Sequence, residues 1–365
     1  MKLYRPTWIE IDLEAIRHNV RTTRKLVGPN VKIFVVCKGD GYGIGAGVLA
    51  KTAIEAGADA AACSSPSDVT SIRLAGVTAP ILLYASTSIV DAAAVVSLGV
   101  IPTIHDFSSL DAFTKLSELN EVYVKIDCGF GRLGFTHSDW GQAFQRLASS
   151  SSLKVAGLYC HLGSTEDRTK LDLQMAKFHS AVEQAKAAGL NDLVLMVASS
   201  RVTIGQVDLN MNAVNPGRMI CGILEEPWNC LADIRPVIAS LKSQIIQVKK
   251  LSAGSTLAYG DTETSRDMLI AIAPVGFADG YPRLPAGGVA LIRGQRVSIL
   301  GSRSTEHTTF DVTDIEGVAV NDEVVLLGKQ GEHVITGNDI SDHTGVPLIE
   351  LLPSMGRLAR RVYYG

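Results

Sequence analysis

The chain has little of what would mark several common protein classes. Its six cysteines, Cys37, Cys63, Cys128, Cys160, Cys221 and Cys230, are spread over 365 residues and none forms a CxxC pair. That argues against both a disulfide framework and a zinc knuckle. Several lie in apolar runs, such as Val35-Val36-Cys37 and Leu158-Tyr159-Cys160, and read as buried free thiols in a reducing compartment. There is no excess of either charge: 34 Lys plus Arg stand against 37 Asp plus Glu, a formal net charge of -3. Nothing in that balance would hold a polyanion, so no nucleic-acid partner is expected. Long hydrophobic runs are missing too. The longest nearly apolar stretch, Ala92 to Ile104, contains Ser97 and Pro102 and is too short to cross a bilayer. The start, MKLYRPTWIEIDLEA, carries acids within its first dozen residues and does not read as a signal peptide. These absences together lead to the expectation of a cytoplasmic protein with no membrane partner.

What is present is a large apolar fraction, 46% of the chain against 19% charged. At roughly 150 residues per domain, the length suggests about two domains. Thr7 to Leu13 alternates as a short strand, and Asp12 is placed to cap a helix running to about Leu26. From there the rhythm is strand then helix. Apolar strands are expected at Val31–Val36, Ala60–Cys63, Pro80–Tyr84, Ile101–Ile104, Val122–Ile126, Val155–Tyr159, Leu193–Val197 and around Asn212–Cys221. Continuous apolar strands between amphipathic helices indicate a covered parallel sheet. Eight such units in roughly 200 residues point to a closed (β/α)8 TIM barrel, with an open doubly wound sheet as the alternative. After about Asp233 the pattern changes to short strands: Leu241–Val248, Met268–Ala273, Val289–Ile292, Gln295–Leu300, Asp322–Leu327 and Leu348–Leu352. The expected fold class is therefore α/β, a barrel followed by a second, mainly β domain.

A barrel's active site lies at the C-terminal ends of its strands, and that rule selects candidates without a motif catalogue. The first barrel strand runs into Cys37-Lys38-Gly39-Asp40-Gly41-Tyr42-Gly43. A lysine directly after a buried strand is either chemically used, with its amine made nucleophilic by desolvation, or snorkels to solvent from a glycine-rich loop. The fifth strand ends in Lys125-Ile126-Asp127-Cys128-Gly129-Phe130-Gly131-Arg132. Later strand ends bring His161, Ser199-Ser200 and Asn215-Pro216-Gly217-Arg218. Serine hydroxyls and glycine N–H groups suit a phosphate, while a single strand-end histidine is as readily a structural group. In the second half, Ala258-Tyr259-Gly260 and Gly276-Phe277-Ala278-Asp279-Gly280-Tyr281-Pro282-Arg283 stand out.

Three ordered segments, VVCKGDGYG, VYVKIDCGFGRLGF and TLAYG followed by PVGFADGYPR, resemble those of the pyridoxal-phosphate-dependent alanine racemase family, over nearly the whole length. The resemblance implies a cofactor-binding barrel over residues 12–230 and a discontinuous β-rich domain of residues 1–11 plus 231–365, assembled as a head-to-tail homodimer. It implies pyridoxal 5'-phosphate as cofactor and an amino acid as substrate. Lys38 would link the cofactor and serve as one base, and Tyr259 of a partner subunit would serve as the other. Inverting a carbon by proton exchange requires a base on each face. Tyr42, Ser200 and Gly217 would lie at the cofactor phosphate, His161 near its ring, and Arg132 beside its phenolic oxygen and the substrate carboxylate. Lys125 matches a lysine that some members carry in carboxylated form.

Three sites depart from the family pattern. Asn215 stands where the family usually has an arginine on the pyridine nitrogen, with Arg218 as a candidate substitute. Ser304, Thr305 and Glu306 replace a Cys-Met-Asp motif of the substrate wall, and Ile349 replaces a tyrosine that touches the phosphate and narrows the way in. These changes lead to the expectation of an amino-acid racemase whose preferred substrate is larger or more polar than alanine. The alternatives on the same barrel are a D-amino-acid aldolase or a decarboxylase. The retained Tyr259 argues for racemisation, Asn215 is not the acid a decarboxylase would place at the ring nitrogen, and MGRLARRVYYG offers no metal cluster. A non-catalytic cofactor carrier would be a barrel alone.

Overall fold

A computed structural model describes residues 5–85, 92–118, 120–163, 165–260 and 262–365. The chain opens with β1 (Thr7–Asp12), in which Thr7, Ile9 and Ile11 are buried and the residues between them are not. The Asp12 carboxylate then accepts the Ala15 N–H at 3.0 Å and starts a helix over Leu13–Val27, whose Ile16, Val20 and Thr23 face the core. Gly28, at φ +82°, ends it.

Eight strands follow: β2 (Lys32–Val36), β3 (Ala60–Cys63), β4 (Ile81–Leu83), β5 (Ile101–Ile104), β6 (Asn120–Lys125), β7 (Leu153–Tyr159), β8 (Val194–Ala198) and β9 (Ala213–Val214). Each pairs in parallel with the next, and β9 pairs with β2, so the sheet closes and the open doubly wound alternative is excluded. Phe34, Val36, Tyr123, Tyr159 and Met196 fill the barrel interior, while a larger apolar cluster lies between strands and helices and continues into the second domain.

The second domain is built from β10 (Ile238–Gln244), β11 (Gln247–Leu251), β12 (Thr256–Leu257), β13 (Thr262–Glu263), β14 (Met268–Ala273), β15 (Val289–Ile292), β16 (Gln295–Leu300), β17 (Thr308–Asp311), β18 (Glu323–Gln330), β19 (His333–Ile335) and β20 (Arg360–Tyr364). All but β12 and β13 join one largely antiparallel sheet, and those two form a separate hairpin. β1 lies in this sheet, antiparallel to β10 and parallel to β20, although it begins the chain.

Three expectations are corrected. Leu348–Leu352 is not a strand but the start of a helix over Leu348–Met355. Its buried residues, Leu348, Leu351, Leu352 and Met355, follow a helical spacing that a short apolar run conceals. The segment Leu241–Val248 is two strands, broken between Gln244 and Gln247. Cys230 is exposed rather than buried, unlike the other five thiols. Among the described residues no helix is long and apolar enough to cross a membrane.

Because Ile9 is fully buried at the seam of β1 with β10, its truncation should loosen the second domain. Ile9→Ala is expected to lower unfolding free energy by about 2–5 kcal/mol in urea titrations.

Candidate active site

The C-terminal mouth of the barrel opens into a cavity of about 770 Å³. Its lining includes Lys38, Tyr42, Lys125, Arg132, His161, Ser200, Asn215, Gly217, Arg218 and Ile349, which therefore converge from far apart in the chain. No aspartate or glutamate is among the described lining residues.

Lys38 follows β2 after Cys37 and opens a left-handed turn. Gly39, Asp40, Gly41, Tyr42 and Gly43 all have positive φ, between 53° and 83°. Asp40 and Tyr42 adopt this at a cost of about 1–3 kcal/mol each. The surroundings hold the turn in place. Asp40 Oδ1 accepts the Ala46 N–H at 3.0 Å, Arg361 ion-pairs with Asp40 Oδ2 at 2.5 Å, and the Asp40 N–H donates to Asp68 at 3.1 Å. A Cβ on Gly43 would stand 2.5 Å from the Pro353 carbonyl oxygen, so glycine lets the Leu348–Met355 helix close on the loop. Lys38 itself is exposed to the cavity. The protein crowding its amine, together with the positive charge of Arg132, holds its pKa below the ordinary lysine value.

A cradle lies on one side. The N–H groups of Gly217 and Met219 both donate to Ser200 Oγ at 3.0 Å, which leaves the serine proton to point outward. A Cβ on Gly217 would fall 2.5 Å from the Tyr42 phenol oxygen, so only glycine admits the phenol here. Burial, aided by nearby thiols, raises the Tyr42 pKa and keeps it a neutral donor. Hydroxyl donors gathered around a tight backbone make a phosphate-sized anion site.

On the other side, Asp127 accepts the N–H groups of Gly129, Phe130 and Gly131 at 2.9–3.2 Å and organises the turn that carries Arg132. The Arg132 guanidinium lies 4.5 Å from the Phe130 ring centre, and Phe130 meets His161 edge-on at 4.8 Å. Burial first, and then the charges of Lys125, Arg132 and Lys38, push the His161 pKa down to about 4, so the ring is neutral near pH 7. Lys125 is buried, with its amine 4.4 Å above the Tyr159 ring, and burial lowers its pKa to about 8.

Asn215 Nδ2 donates to the Tyr84 phenol at 3.1 Å, and its Oδ1 is buried with no hydrogen-bond partner among the described residues. Arg218 is not free to serve as its substitute: Glu225 ion-pairs with the guanidinium and the Ile223 carbonyl accepts Nε–H at 3.1 Å. Tyr84 is the neighbour that Asn215 engages. Tyr84, Tyr159 and Asp127 escaped the sequence reading. The period-2 position of Tyr159 on an apolar strand was the available signal for it, and the Asp-x-Gly-x-Gly turn for Asp127.

Tyr259, Ser304, Thr305 and Glu306 do not line this chain's cavity. Tyr259 is 62% exposed near the tip of the β12–β13 hairpin. The Ser304 and Thr305 carbonyls accept from the Phe277 and Ala278 N–H groups, and Glu306 pairs with Arg5 at 3.3 Å.

The fold and cavity together define an enzyme of the barrel-plus-β-domain class, with a lysine amine at an anion-accepting mouth. Residues 11–225 match the alanine racemase N-terminal domain family and residues 238–363 its C-terminal domain family. An alanine racemase of Carboxydothermus hydrogenoformans is 33% identical, over 98% of this chain and 100% of that protein. One of Halothermothrix orenii is 31% identical, over 99% and 98% respectively. The crystal structure of alanine racemase from Bacillus anthracis with bound L-Ala-P superposes with a TM-score of 0.92 at 26% identity, covering 100% of this chain and 96% of that one. The chain belongs to the alanine racemase family. It is an amino-acid racemase, an isomerase.

Lys125 gives a stability signature. Its folded pKa of about 8 lies below the ordinary 10.5, so between about pH 8 and 10 the unfolded chain holds more protons and stability rises with pH. In carbon-dioxide-free buffer, which keeps the amine free, that rise is expected to flatten in Lys125→Met, and the protein should gain on the order of 2–3 kcal/mol at pH 7, read from urea denaturation at about pH 7 and pH 10.

Proposed function

We propose that this racemase uses pyridoxal 5'-phosphate and two-base proton transfer, as a cytoplasmic head-to-tail homodimer, and prefers a substrate other than alanine. The observation that carries the reading is the Lys38 amine, of lowered pKa, in a cavity with no acid among its described lining residues, beside a phosphate-sized cradle. The residues fit the cofactor. Tyr42, Ser200 and Gly217 would hold its phosphate, Lys38 its aldehyde carbon, and Asn215 with Tyr84 would adjoin its ring nitrogen. A cavity of about 770 Å³ is in the range of small-ligand sites. When bound, the cofactor supplies a conjugated electron sink that makes the substrate α-proton removable.

The chain's own groups do the rest. The Arg132 guanidinium holds the substrate carboxylate, turning the α-carbon toward Lys38. Desolvation, with the charge of Arg132 beside it, lowers the cost of removing a proton from Lys38, whose Nζ takes or returns a proton on one face. The Tyr259 phenol of the partner subunit acts at the opposite face. Its exposure near a hairpin tip, outside its own chain's cavity, supports that arrangement. His161, neutral near pH 7, adds no further charge beside the ring. The lowered pKa of Lys125 favours reaction of its amine with carbon dioxide, and the resulting carboxylate would fix Arg132.

Ile349 lines the cavity and offers no phenol. Ser304, Thr305 and Glu306 replace the wall expected of alanine-specific relatives, which supports a larger or more polar substrate. In a side-by-side panel, kcat/KM for such amino acids is expected to exceed that for alanine; alanine as the best substrate would end the preference claim. Lys38→Ala should lose both the visible absorbance of covalently bound cofactor and at least about a thousandfold of racemisation.

A further inference from the structure

The exposed Tyr259 is not left to itself. The Arg283 guanidinium lies over its ring, 4.9 Å from the centre. Arg283 is also exposed, in a loop whose residues 283–286 all face solvent. An exposed arginine side chain would ordinarily sample many rotamers. Here the loop is held from beneath. Arg303 is 1% exposed, and its guanidinium is spent on the loop's backbone: it donates to the Arg283 carbonyl at 3.2 Å, to the Pro285 carbonyl at 3.0 Å and to the Gly287 carbonyl. The same guanidinium stacks 4.7 Å from the ring of buried Tyr281, at the loop's start. The loop's far end is tied by the Gly287 N–H to the Gly301 carbonyl at 3.3 Å. A buried cation whose two terminal nitrogens bond three carbonyls of one loop, with no carboxylate partner among the described residues, restrains that loop's backbone, although its Nε finds no hydrogen-bond partner among them.

We infer that Arg283 is a positioning residue for Tyr259, a flat clamp that fixes the plane of the phenol, with Arg303 as the buried anchor of the clamp. A planar guanidinium stacked on a ring restricts its rotation in a way that a lysine cannot reproduce. The inference rests on the two-base reading. A base that must meet one face of a carbon within hydrogen-bond reach loses rate steeply when displaced.

The test is proton exchange in deuterated water with the cofactor-loaded protein, reading α-deuterium and chirality together from each enantiomer of its best substrate. For the enantiomer whose α-proton faces Lys38, exchange with retention needs Lys38 alone and inversion needs Tyr259 as well; for the other enantiomer, exchange of either kind begins at Tyr259. In Arg283→Ala, inversion is expected to fall about tenfold or more while Lys38-side exchange with retention persists. Arg283→Lys, which keeps the charge but not the flat stack, should fall between Arg283→Ala and the parent. If inversion and exchange drop in equal proportion in Arg283→Ala, or neither changes, the clamp is wrong. Tyr259→Phe separates the two claims. If it still inverts substrate, the two-base reading fails. If it loses inversion while Arg283→Ala keeps it, only the clamp fails.

Discussion

A carbon that gives up its proton to a conjugated system becomes planar, and an enzyme that inverts it must reach both faces. That constraint organises the proposed chemistry of this protein. A barrel mouth approaches a bound ligand from one side, and Lys38 occupies that side. The remaining candidate, Tyr259, stands on a hairpin of the other domain, outside its own chain's cavity. A barrel by itself would leave the far face to water. In the proposed reaction, the second domain and a second copy of the chain supply what the barrel lacks.

The near side is prepared by local strain and by electrostatics. Five consecutive left-handed residues place Lys38 at the rim, and the C-terminal segment holds them there through Arg361 on Asp40 and the close approach of Gly43 and Gly356. The second domain therefore braces the catalytic loop of its own chain. No acid is among the cavity's described lining residues; burial first, and then the charge of Arg132, lowers Lys38 and Lys125 below ordinary lysine, and burial with the neighbouring cations keeps His161 neutral. An amine that must alternate between proton donor and acceptor is better suited to such surroundings than one paired with a carboxylate.

The closed barrel was legible because each of its strands is a short apolar run between amphipathic helices, a pattern that parallel burial on both faces imposes. The cavity residues at strand ends followed from the same rule. The helix at Leu348–Met355 was not legible, since apolar residues at 348, 349, 351 and 352 satisfy a strand nearly as well as a helix until the partners are known. Arg218 illustrates a second limit: its place beside Asn215 in the chain says nothing of Glu225, which claims its guanidinium in space. Tyr84 reaches Asn215 across 131 residues of sequence, and no local pattern announces such a pair. Ser304 to Glu306 were picked by resemblance alone and Tyr259 first stood out beside its glycine, yet one chain's geometry puts all four outside its cavity.

The central claim is that one site is built from two chains, with Lys38 from one and Tyr259 from the other. Subunit mixing measures it directly. Lys38→Ala and Tyr259→Phe proteins, each inactive alone, are unfolded together and refolded as a random mixture. In a shared site, half of the dimers are hybrids and each hybrid carries one intact pair, so racemisation should return to about a quarter of the parent level. If the mixture stays as inactive as its two components while hybrids form, the two groups do not meet across subunits, and the account is contradicted.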